Sequence, residues 1–425
     1  MKVTGIIAEY NPFHNGHFYQ LEQARKCTDA DYLIVVMSGD FVQRGAPALI
    51  DKYTRAQMAL SCGADLILEL PVLWATASAE YFACGAVSLL DQLGVTNALC
   101  FGCETPDNSA FFALSRLLCE EPVEYQIALN TALKEGCNYP KARQEALYSI
   151  FKNDSSHSQI TDSISHDSLP LILGSPNNIL GLEYCKSLHQ RNSSIYPVPI
   201  QRIGNGYHES DLDSDFVSAT GIRSYLNDSM NFYSDLPALK AWMPQKAYDI
   251  LTKSLETHPL LFEDDFSGML GYALLCGDSF TTYADGSNDL SNRICKMKKN
   301  YRSISSFLAD LKTKEVTYAR LSRLLFHILL DIEKKDYGIY RNLDYVLYAK
   351  ILGFQKSAAP LLKSLKANSQ IPLLTGFSKK KSLLDQSGLA LLEKDMFASE
   401  LYRLASVQKS GFSIPHEYEQ KFLTL

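Results

Sequence analysis

Nothing in the sequence approaches the ~20 consecutive apolar residues that a membrane-spanning helix requires. Stretches such as Tyr32 to Met37 and Leu324 to Leu330 end quickly in polar or charged residues, so no membrane partner is expected. The N-terminus runs from Lys2 straight into a strand-like pattern, without the apolar stretch and cleavage site of a secretory signal, which points to a cytoplasmic location. The ten cysteines are scattered, and Cys62, Cys84, Cys119 and Cys276 sit inside apolar periodic segments, as small hydrophobes do in a reducing compartment. The one close pair, Cys100 and Cys103, has no second pair and no histidine at ligand spacing, so no metal site is expected. No repeat of fixed period is present, which excludes a solenoid. A net charge of -6 argues against a general nucleic-acid binder.

What the chain does contain is material for a large core, since 46% of its 425 residues are hydrophobic and 21% charged, enough for two or three domains. In the first hundred residues, apolar runs at Val3 to Ala8, Tyr32 to Met37, Ala64 to Leu70 and Val95 to Phe101 alternate with segments of helical spacing. Strands that are apolar throughout and alternate with helices indicate a parallel sheet covered on both faces, hence a doubly wound α/β fold. From Lys152 to Ser168 the chain is rich in Ser, Asp, His and Asn, with too little apolar surface to offset ordering, and a mobile loop is expected. The pattern resumes with a helix over Asn178 to Gln190, a strand over Tyr196 to Ile203 and a turn at Gly204 to His208. After Leu236 helical periods dominate, including Ser303 to Lys312, Tyr318 to Glu333 and Asp344 to Ile351. The division expected is an α/β domain over 1–240 and a mostly helical domain over 241–425.

Charge is unevenly placed. Residues 205–290 hold 14 acidic side chains against four basic ones, and residues 291–325 reverse this with nine basic against two acidic. The basic zone is either a solvated helical surface or a phosphate-binding face.

The most informative segment is GIIAEYNPFHNGHFYQLEQA, at the join of the first strand and the first helix. This turn at the carboxyl edge of a parallel sheet is where α/β domains bind ligands, and the helix N-terminus offers free N–H groups to phosphate. His14 and His17 bracket Asn15 and Gly16, so both imidazoles could face one ligand while Gly16 lets the backbone approach it. An isolated HxxH can equally be two incidental surface histidines. The turn is neither a GxxxxGK[ST] loop nor a GxGxxG, which disfavours a kinase-like or ordinary dinucleotide site.

HNGH after a first strand resembles the HxGH signature of the nucleotidyltransferase superfamily. Together with MSGDFVQRGAPALIDKYTRAQMAL, GADLILELP, SAEYFACGAV, FGCE, SPNNILGLEY and QRIGNGYH it resembles the tRNA(Met) cytidine acetate ligase family, over roughly the first half of the chain. YARLSRLLFHILL and YAKILGF carry a looser likeness in the second half. The resemblance implies a Rossmann-like nucleotidyltransferase domain that activates acetate with ATP, accompanied by Mg²⁺, to acetyl-adenylate. Pyrophosphate and then AMP are released as the wobble cytidine of elongator tRNA(Met) becomes N4-acetylated. The alternatives are a nucleotidyltransferase that builds a dinucleotide cofactor or activated alcohol, and a non-catalytic RNA-binding protein with the same fold.

Carried over residue by residue, the resemblance makes His14 and His17 catalytic. The nucleotide site would begin with Ile7, Ala8, Glu9, Tyr10, Asn11, Pro12 and Phe13, and continue through His14, Asn15, Gly16, His17, Phe18, Tyr19 and Gln20. Gly102, Asn177, Arg202 and Ile203 would complete it, with Ser218, Thr220 and Arg223 of SATGIRSYL holding the β- and γ-phosphates. The sequence departs from the family pattern at Asp40 and Gly221. For tRNA the expected contacts are Arg293, Lys296, Lys298, Lys299, Arg302, Arg320 and Arg323, with Lys350, Lys363, Lys366 and 379–381 beyond them, since a polyanion needs a local cationic patch.

Overall fold

The structure is a computed structural model that describes all residues except 138, 153–167, 204–215, 230–234, 314, 377–379 and 413. The loop expected over 152–168 and the turn over 204–208 therefore fall almost wholly outside the described residues.

β1 (Val3–Ala8) leads into helix α1 (Asn15–Thr28), and β2 (Tyr32–Ser38) is followed by a small ribbon of β3 (Phe41–Val42) and β4 (Ala46–Pro47). Helix α2 (Lys52–Ser61) and β5 (Leu66–Leu70) come next, and β6 (Ala98–Cys103) and β7 (Tyr196–Gln201) extend the sheet. The order β5-β2-β1-β6-β7 is parallel throughout, as the apolar runs lead one to expect. Side chains alternate between two cores: Ile34 and Val36 of β2 join one, Leu33, Val35 and Met37 the other, which is why no position in the strand tolerates charge.

The second half is helical in large part but also completes the sheet. β8 (Ala349–Phe354) pairs antiparallel with β5, β9 (Leu373–Leu374) and β10 (Leu423–Thr424) flank β8, and Tyr348, Leu391 and Tyr402 share a core with Val3 and Trp74. Two expectations change accordingly. The helical reading of Asp344 to Ile351 gives way to a strand, a short apolar run whose length fits either element. The expected break near residue 240 does not separate two cores, because strands and helices from beyond it pack against the first sheet. Among the described residues no helix is long and apolar enough to cross a membrane.

Candidate active site

Beyond Ala8 the chain turns over the sheet edge, with Tyr10 at φ 48°. Buried polar groups hold this turn. The Arg55 guanidinium, wholly buried in α2, donates to the carbonyls of Glu9 (2.7 Å), Ser38 (3.0 Å) and Ile50 (2.9 Å), and also to that of Gly39. It thereby fastens the ends of β1 and β2 together, while Asn11 Oδ1 accepts the N–H of Leu49 at 2.7 Å. Glu9 Oε1 accepts the N–H of Gln43 at 2.9 Å.

His14 caps α1. Its Nδ1 accepts the N–H of Gly16 at 3.0 Å, and His17 Nδ1 accepts the N–H of His14 at 3.3 Å, a reciprocal box of the kind that satisfies orphan donors of a first helical turn. A backbone N–H can only donate, so both Nδ1 atoms are unprotonated, and in each neutral ring the proton sits on Nε2. Burial pushes His14 down to about 3, with the charges of Arg202 and Arg223 adding to it. Burial, then His14 and Arg202, likewise hold His17 well below its ordinary value. The two rings lie 3.8 Å apart at their centroids, which a pair of imidazolium ions would not tolerate. The result is two neutral N–H donors at a helix N-terminus. A Cβ on Gly16 would come within 2.8 Å of His14 Cε1, so glycine there keeps the ring in place.

These rings open on a cleft that Tyr19, Gln20, Gly102, Arg202, Ile203 and Ser218 also line. A Cβ on Gly102 would lie 3.3 Å from Arg202 Cγ, so the bare backbone gives that side chain its room. Among the described residues the Arg202 guanidinium has no hydrogen-bond or ion-pair partner; only its backbone N–H is bonded, to Cys103 O at 2.9 Å. Ser218 Oγ caps the helix Ala219–Asn227 by accepting the N–H of Gly221 at 3.1 Å. Arg223 of that helix reaches Asn11 O (2.7 Å) and Thr220 Oγ1 (3.1 Å), bringing a second helix N-terminus to the turn. Other residues of the expected set serve the turn itself: Ile7, Tyr10, Phe13 and Phe18 pack in the cores, Ala8 ends β1, and Asn15 donates to Ala241 O at 2.8 Å. Asn177, in the first turn of the helix Pro176–Gln190, donates to Glu104 at 2.7 Å and is not among the residues that line the cleft. Sequence reasoning missed Arg55 and Glu104; α2 is also polar at Lys52, Thr54 and Gln57, so Arg55 carries no local signal, whereas Glu104 is the acid that closes FGCE.

A second charged assembly lies under β5 and β8. Lys52, 1% exposed, places Nζ 2.9 Å from Glu69, 2.8 Å from Glu417 and 3.4 Å from Asp40, and Lys350 bridges Glu69 and Glu417. Burial opposes the Lys52 charge, yet Glu417, Glu69 and Asp40 outweigh it and hold Lys52 well above its ordinary value. Burial would likewise raise Glu417, but Lys350 and Lys52 hold it down at about 2. Lys350 is thus engaged inside the protein, which removes it from the expected tRNA surface. Much of the basic zone is engaged too. Arg323, 9% exposed, pairs with Asp285 at 2.8 Å, Arg320 lies 4.0 Å from the same carboxylate, and Arg293 donates to Asp310 O at 3.3 Å. Lys298 Nζ caps the helix Ser267–Cys276 through Gly277 O (2.6 Å) and Leu274 O (3.2 Å). Lys296, Lys299 and Arg302 remain exposed. Among the described residues no three His, Cys, Asp or Glu side chains gather as a metal cage.

A family model described as HIGH Nucleotidyl Transferase matches residues 1–413. The tRNA(Met) cytidine acetate ligase of Clostridium kluyveri is 40% identical over 95% of this chain and 98% of its own length. That of Thermoanaerobacter sp. is 38% identical over 95% and 96%. Crystal structures of Thermotoga maritima TmcAL match over 100% of both chains at 31% identity, with TM-scores of 0.89 for the form bound with alpha-thio ATP and 0.92 for the apo form. The chain belongs to the HIGH nucleotidyl transferase family and, within it, to the tRNA(Met) cytidine acetate ligases.

Proposed function

We propose that the chain is an ATP-dependent ligase that activates acetate as acetyl-adenylate and passes the acetyl group to N4 of the wobble cytidine in elongator tRNA(Met). The observation that carries this reading is the meeting, in one cleft, of two neutral Nε2–H donors, two helix N-termini and the Arg202 guanidinium, in a member of that ligase family. In the first step an acetate oxygen attacks the α-phosphorus in line, and the bond to pyrophosphate breaks. Acetate is already ionised at neutral pH, so the step needs positioning and stabilisation of growing negative charge rather than a base. His14 and His17 would donate from Nε2 to the phosphates, and the N-terminus of the helix Ala219–Asn227, with Ser218, Thr220 and Arg223, would hold the β- and γ-phosphates. Mg²⁺ would travel on those phosphates and screen their charge; bound in that way it needs no protein cage, which suits the donors present. In the second step the cytidine amine attacks the acetyl carbonyl and AMP leaves.

For tRNA, we place the electrostatic contact on Lys296, Lys299 and Arg302, which stay exposed. Exchange of labelled pyrophosphate into ATP, measured without tRNA, tests the first half-reaction. Exchange that requires acetate is the expected result; exchange with no need of acetate, or none at all, contradicts it.

A further inference from the structure

The helix Ser267–Cys276 has no charged side chain, and after Ser267 its most polar groups are the Tyr272 hydroxyl and the Cys276 thiol. A helix apolar on every face is normally enclosed on every face. This one is not. Leu270 and Leu274 are buried in the core, whereas Gly268, Tyr272, Leu275 and Cys276, at helical spacing along the opposite face, are exposed, Tyr272 by 73% and Leu275 by 74%. Exposed cations flank that face. Lys298 closes the C-terminus of the helix through the carbonyls of Leu274 and Gly277, and the Tyr301 hydroxyl donates to Ser267 O at 2.9 Å. The Tyr301 ring lies across the helix, where a Cβ on Gly271 would come within 3.1 Å of it. The segment 296–302 thus runs beside the helix, and its Lys296, Lys299 and Arg302 are exposed. Nearby acids are engaged: Asp264 accepts from Ser305 at 2.6 Å, Asp265 pairs with Lys409 at 2.8 Å, Glu263 accepts from Tyr318 at 3.1 Å, and Asp278 lies 3.7 Å from Lys298. A ligand that suits both features combines negative charge with flat apolar rings. Unpaired RNA has both, while a duplex encloses its base faces. A second copy of this chain, docked on the same face about a twofold axis, would bring like cations together.

We propose that Tyr272, edged by Leu275, is the platform on which an unpaired base of the RNA stacks while the RNA's phosphates meet Lys296, Lys299 and Arg302. This deepens the tRNA reading above and rests on it. Every base offers a π-face, so the platform adds grip rather than a choice among tRNAs. The test is binding of elongator tRNA(Met), of a short unpaired oligoribonucleotide and of an RNA duplex of the same length to the full chain, by fluorescence anisotropy over a series of salt concentrations. Tyr272→Ala should weaken the tRNA and the unpaired oligonucleotide about tenfold and leave the duplex unchanged. The slope of log affinity against log salt should stay the same, because no cation is lost. Tyr272→Phe keeps the ring and should bind as the wild type does. An affinity for tRNA or for the unpaired oligonucleotide that is unchanged in Tyr272→Ala overturns the proposal. So does an equal loss on the duplex, or a loss in Tyr272→Phe as large as in Tyr272→Ala. Self-association of the wild type in sedimentation that Tyr272→Ala abolishes also overturns it, since the face would then belong to a second copy. If Tyr272→Ala does not fold by circular dichroism, Tyr272→Gln takes its place under the same outcomes. A wild type that binds the unpaired oligonucleotide but not the tRNA contradicts the tRNA reading, and the platform is still decided on the oligonucleotide; one that binds neither contradicts both.

Discussion

Arg202 and Lys52 are both cations at the carboxyl edge of the same sheet, and their surroundings are opposite. Lys52 lies among three carboxylates and the Ser399 hydroxyl, all buried with it. Arg202 stands at an open cleft with no described partner for its guanidinium, opposite two imidazoles held neutral by burial. In the first region opposite charges satisfy one another and join elements far apart in the chain. In the second, donors face the cleft without acceptors among the described residues, as the proposed binding of a polyanionic nucleotide would require. The contrast separates charge that stabilises a fold from charge proposed to hold a substrate.

The largest effect is expected at Lys52. Lys52→Met leaves Glu69, Glu417 and Asp40 facing one another around Lys350 alone, and should lower stability by about 3 to 5 kcal/mol in urea unfolding. A loss below about 1 kcal/mol would mean the cluster is not a structural tie. On the cleft side, His14→Ala removes one donor to phosphates whose charge grows in the transition state, and acetate-dependent exchange should fall about 100-fold or more with the fold retained by circular dichroism. Near-normal exchange would remove His14 from the site.

The buried histidines also make stability depend on pH. His14 has its folded value depressed to about 3 from an ordinary 6.5, so between those limits the unfolded chain binds more protons than the folded one. Stability should therefore decline as pH falls below about 6.5, by at most ~1.4 kcal/mol per pH unit for each histidine, and His14→Gln should flatten that slope. The same slope in both proteins would mean that the folded ring ionises normally. Glu417, depressed to about 2 from 4.5, adds its own loss only at lower pH. The smallest effect expected is on the surface. Replacing Lys296, Lys299 and Arg302 together by Glu should weaken tRNA binding and reduce the slope of log affinity against log salt by up to about three, while sparing pyrophosphate exchange. Unchanged affinity and slope would make those side chains an ordinary solvated face.

Much of the cleft was legible because its parts are local. His14, Gly16 and His17 lie within one helical turn, and the apolar runs of β1, β2, β5 and β6 announce a parallel sheet whose carboxyl edge must carry the site. Arg55 was not legible, since its role depends on carbonyls at Glu9, Ser38 and Gly39 that only the fold gathers. Nor could spacing reveal that Lys350 and Glu417 answer Lys52, about 300 residues or more along the chain. The same blindness explains the basic zone: a count of lysines and arginines cannot see that Asp285 takes up Arg323 or that carbonyls take up Lys298. β8 hid among helices because six residues of mixed apolar character fit either element, and its pairing with β5 is non-local.

Joint use of ATP, acetate and methionine tRNA by one chain is read out by nucleoside mass spectrometry of that tRNA after incubation with all three. One cytidine heavier by an acetyl group is expected, formed only when ATP and acetate are both supplied. Unmodified cytidine under conditions where the protein binds ATP, or an acetylated product that needs no acetate, would contradict it.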